Sequence, residues 1–172
     1  MRLRVFTVVF GILGLAAIHG MYMGGYSEPH YPAYSPIYMS WKDLRAAVKS
    51  EPAKAIGKRG KIFIRGIHLF INEPNKGIHI FDNGNPADPK PIAFINIPGN
   101  VDLAVKGDVL FADSFVDLVA IDIAALPAIK ELNRQVDVFP YDAMQTADGE
   151  IWYYGETNKN LGVVIGWKKE SK

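Results

Sequence analysis

Four polar side chains stand close together in this 172-residue chain: Asn100, Asp102, Asp113 and Asp117. Two carboxylates at a fixed separation can share the acid and base work of cleaving a glycosidic bond. Asn100 and Asp102 also fall at the start of an expected strand, a place from which they could face a ligand. The competing role is structural, since acids at strand ends accept hydrogen bonds from backbone donors there. The histidines offer less. His19 and His30 precede any expected strand, whereas His68 and His79 belong to neighbouring strands and are expected to be exposed. Two histidines need a third ligand to hold a metal, and no carboxylate is placed to supply it. Ser114 and Ser171 lack a Gly-x-Ser-x-Gly setting, so no nucleophile elbow is present. The chain has no cysteine, which excludes a thiolate nucleophile, thiolate metal sites and disulfides. Glu131, Arg134 and Asp137 read as the solvated side of an outer strand. Asn100, Asp102, Asp113 and Asp117 are therefore expected to bind, with no catalytic residue, metal or cofactor assigned.

The elements that would position these groups form a tandem repeat. Lys61 to Asn72 and Gly77 to Asp82, a turn, and Ile92 to Ile97 make one unit. Val101 to Asp113 opens the same plan again, and Leu118 to Asp122 answers Ile78 to Asp82. Gly66 and Gly107 stand 41 positions apart, Asp82 and Asp122 stand 40 apart. A period in that range, with several short strands per unit, is the mark of propeller blades. Alternation of period two places strands near 61–65, 68–72, 77–82 and 91–97, then near 101–106, 109–113, 117–122 and 129–136. A third unit supplies strands near 148–154 and 162–167, after a weaker candidate at 141–147. The turn from Asp82 to Pro89 is rich in residues that bond their own backbone; its prolines and spacing do not fit a calcium loop. The fold expected is all-β: a partial propeller-like array of antiparallel four-stranded blades, two full and one partial, with one short N-terminal helix.

Three segments follow. Residues 1–23 carry Arg2 and Arg4 ahead of the apolar run from Val5 to Ala17, the pattern of an export signal or of an uncleaved anchor. Residues 24–59 hold a spacer rich in Pro and Tyr and then an amphipathic helix over 41–50, opened by Ser40 as N-cap and closed before Pro52. Residues 60–172 are the repeat domain. Nineteen basic residues against eighteen acidic ones, a net charge of +1, give no clustered basic patch for a nucleic acid. Eight Tyr, nine Phe and three Trp suit half-buried strands.

Ile78-His-Ile-Phe-Asp-Asn-Gly-Asn-Pro and Leu118-Val-Ala-Ile-Asp-Ile resemble the LVIVD repeat. The stretch from Phe94 through Asn100 to Gly107, then Leu110-Phe-Ala-Asp-Ser114, is similar to LVIVD-repeat proteins of bacterial cell envelopes, as is Pro36-Ile-Tyr-Met-Ser40 with the helix behind it. The resemblance implies a propeller-like repeat protein of the envelope. Members are commonly lipoproteins with many repeats; this chain differs in lacking a lipidation cysteine and in having at most three units.

Two function classes stand at this point. One is a non-catalytic exported module that presents a binding or scaffolding surface to a protein or glycan in the periplasm or on the outer surface, touching membrane only through its N-terminal segment. The other is a small carbohydrate-active hydrolase or lyase using paired aspartates such as Asp102 and Asp113. A stack of two and a half blades also leaves apolar faces bare. The 41–50 helix could cap one end, Ile37-Tyr-Met39 could complete the third blade, or a homodimer could join two chains in one ring.

Overall fold

The computed structural model describes residues 33–151, 153 and 155–170. The expected export segment at 1–23 and the spacer as far as Pro32 lie outside the described residues. The described residues belong to the compact unit Pro32–Lys172.

Its elements, in chain order, are β1 (Tyr34–Met39), α1 (Trp41–Ala46), β2 (Lys49–Pro52), β3 (Ile62–Arg65), β4 (His68–Glu73), β5 (Gly77–Asp82), β6 (Lys90–Asn96), β7 (Leu103–Lys106), β8 (Val109–Ser114), β9 (Asp117–Asp122), β10 (Lys130–Gln135) and β11 (Val163–Lys169). Strand makes up 46% of the described residues and every sheet is antiparallel, so the protein is mainly β with one α-helix. Sheet I has the order β2-β6-β5-β4-β3, sheet II the order β10-β9-β8-β7, and β1 pairs with β11 in a third sheet. Among the described residues no closed barrel or propeller is formed.

Sheets I and II repeat one design. In each, a glycine with positive φ turns the first hairpin, Gly66 at 56° and Gly107 at 58°, a conformation that costs a side chain its Cβ clearance. The second turns match too: Asn75 (φ 66°) and Phe115 (φ 54°) take the left-handed conformation in both. Asparagine tolerates it, but a phenylalanine there is strained. Burial of the Phe115 ring against Leu44 and Val163 offsets that strain.

Alternation along the strands aims one side of each sheet at the other. Phe70, Ile78, Ile80, Ile95 and Ile97 from sheet I meet Leu110, Ala112, Val119, Ile121 and Ile123 from sheet II in one buried cluster. Each such aliphatic side chain contributes roughly 1.5–3 kcal/mol by leaving water. At the first-strand edges Arg65 on β3 donates to Asp108 at 2.5 Å, and Lys61 pairs with Asp102.

The N-terminal segment departs from expectation. The helix ends at Ala46, not near residue 50, because Lys49–Pro52 extends to become the fifth strand of sheet I, with Ser50 facing Ile95. Residues 34–59, drawn as spacer and helix, thus belong with the repeats. Tyr34–Met39 pairs with Val163–Lys169, so Ile37-Tyr-Met39 lies in a two-stranded sheet with the C-terminal strand. The strand expected at 148–154 is not seen at its described positions, and 141–147 is a run of turns.

The short helix works as a plug. Ser40 caps it by accepting from the Asp43 N–H at 3.1 Å. Leu44 is buried with Phe115 and Val163, and Met39, Trp41 and Tyr141 pack around them.

Candidate functional site

Asn100, Asp102 and Asp113 converge. Asn100 is wholly buried at the crossing from sheet I to sheet II, where its amide donates to the Asp113 carboxylate (2.8 Å) and to the Asp102 carbonyl (2.7 Å). Asn72 of β4 donates to the Asn100 side-chain oxygen at 2.6 Å. The same Asp113 oxygen accepts the backbone N–H groups of Val101 (2.9 Å) and Asp102 (2.8 Å). Asp102 accepts from its neighbour, the Leu103 N–H, at 2.8 Å. This knot ties the start of β7 to the end of β8, the structural role open to strand-end acids.

The two acids titrate in opposite directions. Burial pushes the Asp113 carboxyl up, against the hydrogen bonds it accepts from Asp102, Val101 and Asn100. The Lys61 ammonium holds the Asp102 carboxyl down by hydrogen bonding, against a smaller cost of burial. Both border a hollow of 240 Å³ floored by Ala104, Phe111 and Leu118, with Phe139 at its rim.

Asp117 stands apart from the other three. Fully buried, it accepts from Arg45 Nε of α1 (3.1 Å), Arg134 Nη1 of β10 (3.2 Å) and the Asp137 N–H (3.1 Å). Arg134 also forks onto Glu131 at 2.9 and 2.8 Å. Glu131, Arg134 and Asp137 are therefore not a merely solvated face. Arg134 reaches inward because a buried carboxylate must be paired, a demand that strand periodicity does not reveal.

His79 is the largest departure at residue level. It is 1% exposed, where an exposed strand histidine was expected. The register sets it between Ile71 and Phe94, and sets His68 between Arg65 and Asp82, so the two histidines are not cross-strand neighbours. His79 Nε2 lies 2.7 Å from Glu73 Oε2, and Lys76 donates to Glu73 Oε1 at 2.6 Å. The Gly57 N–H adds a longer bond of 3.3 Å. Burial raises the Glu73 pKa, but the bonds from Lys76, His79 and Gly57 outweigh it and hold the group at about 2. Lys54 lies over the Phe94 ring, 3.4 Å from its centroid, and the Phe94 ring meets the His79 ring tilted by 60°, their centroids 4.7 Å apart. The only sequence signal for this cluster was the closeness of Glu73, Lys76 and His79 around one turn.

Next to it, two adjoining clefts of 270 and 350 Å³ open at the end of sheet I and share Asn75, Lys76, Thr146 and Ile165. Lys54 borders the first, Lys58 and Asp148 the second. Gln145 fixes the far wall by donating to Asn75 (2.9 Å) and to the Gly99 carbonyl (2.8 Å). The walls offer ammonium, amide and hydroxyl groups and one carboxylate, which suits holding a polar ligand. Among the described residues no three His, Asp or Glu side chains converge as a metal ion would require, and no helix is long and apolar enough to cross a membrane.

No family model, curated protein or solved structure matches the chain.

Proposed function

We propose that this protein is a non-catalytic, exported cell-envelope repeat module whose LVIVD-like units build a partial propeller-like array and present a binding or scaffolding surface to a protein or glycan. The observation that carries this reading is the state of its acids. Asp113 and Asp117 are tied to backbone and guanidinium donors and Asp102 to Lys61, while the open clefts at the end of sheet I carry Lys54, Lys58, Lys76, Asn75 and Thr146. Such groups hold a ligand through hydrogen bonds without offering the paired carboxyls of a glycosidase. The stacking of sheets I and II supports the propeller-like description, and Arg2, Arg4 and the apolar run behind them support export to the periplasm or outer surface. With no cysteine, the chain carries no lipid on such a residue.

A second reading, a carbohydrate-active hydrolase or lyase, draws on the hollow shared by Asp102 and Asp113 and on their opposed titration. Environments that push two acids apart are what an acid and base pair needs. One experiment separates the two. Purified protein is incubated with envelope polysaccharides and envelope protein extracts, and both retention and release of new reducing ends are measured. The binding module retains a component without turnover, and Lys58→Glu weakens retention. Release of reducing ends that vanishes in Asp102→Asn would replace this reading with the second.

A further inference from the structure

The joint between sheets I and II uses one side of each sheet, and the repeat relates the two unused sides to the two used ones. Leu103 and Val105 of β7, with Leu110, Ala112, Val119 and Ile121, form the side of sheet II that packs on sheet I. Their counterparts one repeat earlier are Ile62, Ile64, Leu69, Ile71, His79 and Phe81, and these form the outward side of sheet I. Conversely Phe63, Phe70, Ile78 and Ile80 pack on sheet II, and their counterparts one repeat later are Ala104, Phe111, Leu118 and Ala120, the outward side of sheet II.

Both outward sides are apolar and only partly covered. Ile62 and Ile64 are 61% and 58% exposed, while their counterparts Leu103 and Val105 pack against the core. The segment 53–59 covers the Phe81 and Pro91 end of sheet I and leaves the β3 edge open. On sheet II the hollow above Ala104, Phe111 and Leu118 remains open, with Phe139 39% exposed at its rim. The charges are complementary as well. Asp113, and Asp102 already paired with Lys61, border the sheet II hollow, whereas Lys58 and Arg59 precede β3 on the sheet I side with no acid among residues 53–61.

We infer that the outward side of sheet II on one copy of this chain seats on the outward side of sheet I of a second copy, repeating the internal joint head to tail. The physical reason is that each bare side already has a fitting partner within the molecule, one repeat away. Alternating apolar rows that interlock once interlock again where the same rows recur. The contact is heterologous: the two surfaces differ, so each copy offers one of each, and the assembly closes into a ring when the rotation permits. This self-association goes beyond the envelope role and does not depend on it.

The test uses the full chain and its two sides separately. Ile64→Asp places a charge on the sheet I side, and Ala104→Asp places one on the sheet II side; both positions are exposed, so folding is retained and is checked by thermal unfolding. Light scattering across a concentration series is expected to give at least about twofold the chain mass for the unaltered protein. Each variant alone is expected to give the mass of one chain. An equimolar mixture is expected to recover a dimer, because one variant keeps an intact sheet II side and the other an intact sheet I side. A monomeric unaltered protein, variants that still associate, or a mixture that stays monomeric would overturn the inference; the last result would indicate a like-with-like contact. If Ile64→Asp fails to fold, Ile62→Lys takes its place in the same mixture.

Discussion

Glu73 shows how one buried side chain can support several elements. Its carboxylate receives Lys76, His79 and the backbone of Gly57, so it joins the β4–β5 turn, the middle of β5 and the segment that crosses sheet I. Holding its pKa at about 2 instead of 4.5 means that the folded state prefers the ionised form. The resulting stability is present above the unfolded value and is lost as pH falls toward the folded one. It is on the order of 3 kcal/mol at neutral pH. Glu73→Gln is expected to lower the urea midpoint at pH 7 and to fall progressively less short of the unaltered protein between about pH 5 and pH 2. A gap that does not change with pH would show that Glu73 acts through shape alone.

At the level of elements, the pairing of β1 with β11 closes the chain on itself, since Tyr34 faces Lys169 and Met39 faces Val163. Gly162 makes the approach to β11 feasible. Its φ is 121°, and a Cβ there would run into the Met39 carbonyl. Gly162→Ala is expected to cost roughly 1–3 kcal/mol through backbone strain, read as a lower urea midpoint. The same change should loosen α1, because Trp41 donates to the Lys159 carbonyl at 2.8 Å just before that glycine; faster hydrogen exchange at Leu44 would register it. An unchanged midpoint would mean that β1 contributes little to the fold.

For the whole molecule, the buried cluster between sheets I and II sets the order of opening. The central strands β4, β5, β8 and β9 carry Phe70, Ile78, Ile80, Leu110, Val119 and Ile121, all fully buried. The described positions of 141–161 are mostly irregular, with a turn at 143–146, a 3-10 turn at Lys159–Leu161 and no strand. Native-state hydrogen exchange is therefore expected to protect amides of β4, β5, β8 and β9 up to the global unfolding free energy, with the turn at 143–146 opening at much lower cost. Uniform protection across both regions would indicate that the two-stranded sheet and the repeat pair unfold as one unit.

The strands β3 to β10 were legible in the sequence to within a residue or two, whereas β2 was not. Period-two alternation and the glycines at 66 and 107 are local properties that tolerate little else. The sequence also marked Asn100, Asp102 and Asp113, whose place at the joint of two units follows from the repeat. Tertiary structure alone decided where polar groups would be buried. His79 looks like any outward strand residue until Glu73 and Phe94 close over it, and Arg134 looks solvated until Asp117 is found beneath it. The fate of Lys49–Pro52 was likewise not local: four residues with weak preferences became a strand because β6 offered an unpaired edge. At the described positions of 148–154 the alternation did not become strand, because backbone donors and acceptors form a strand only where another chain segment pairs with them.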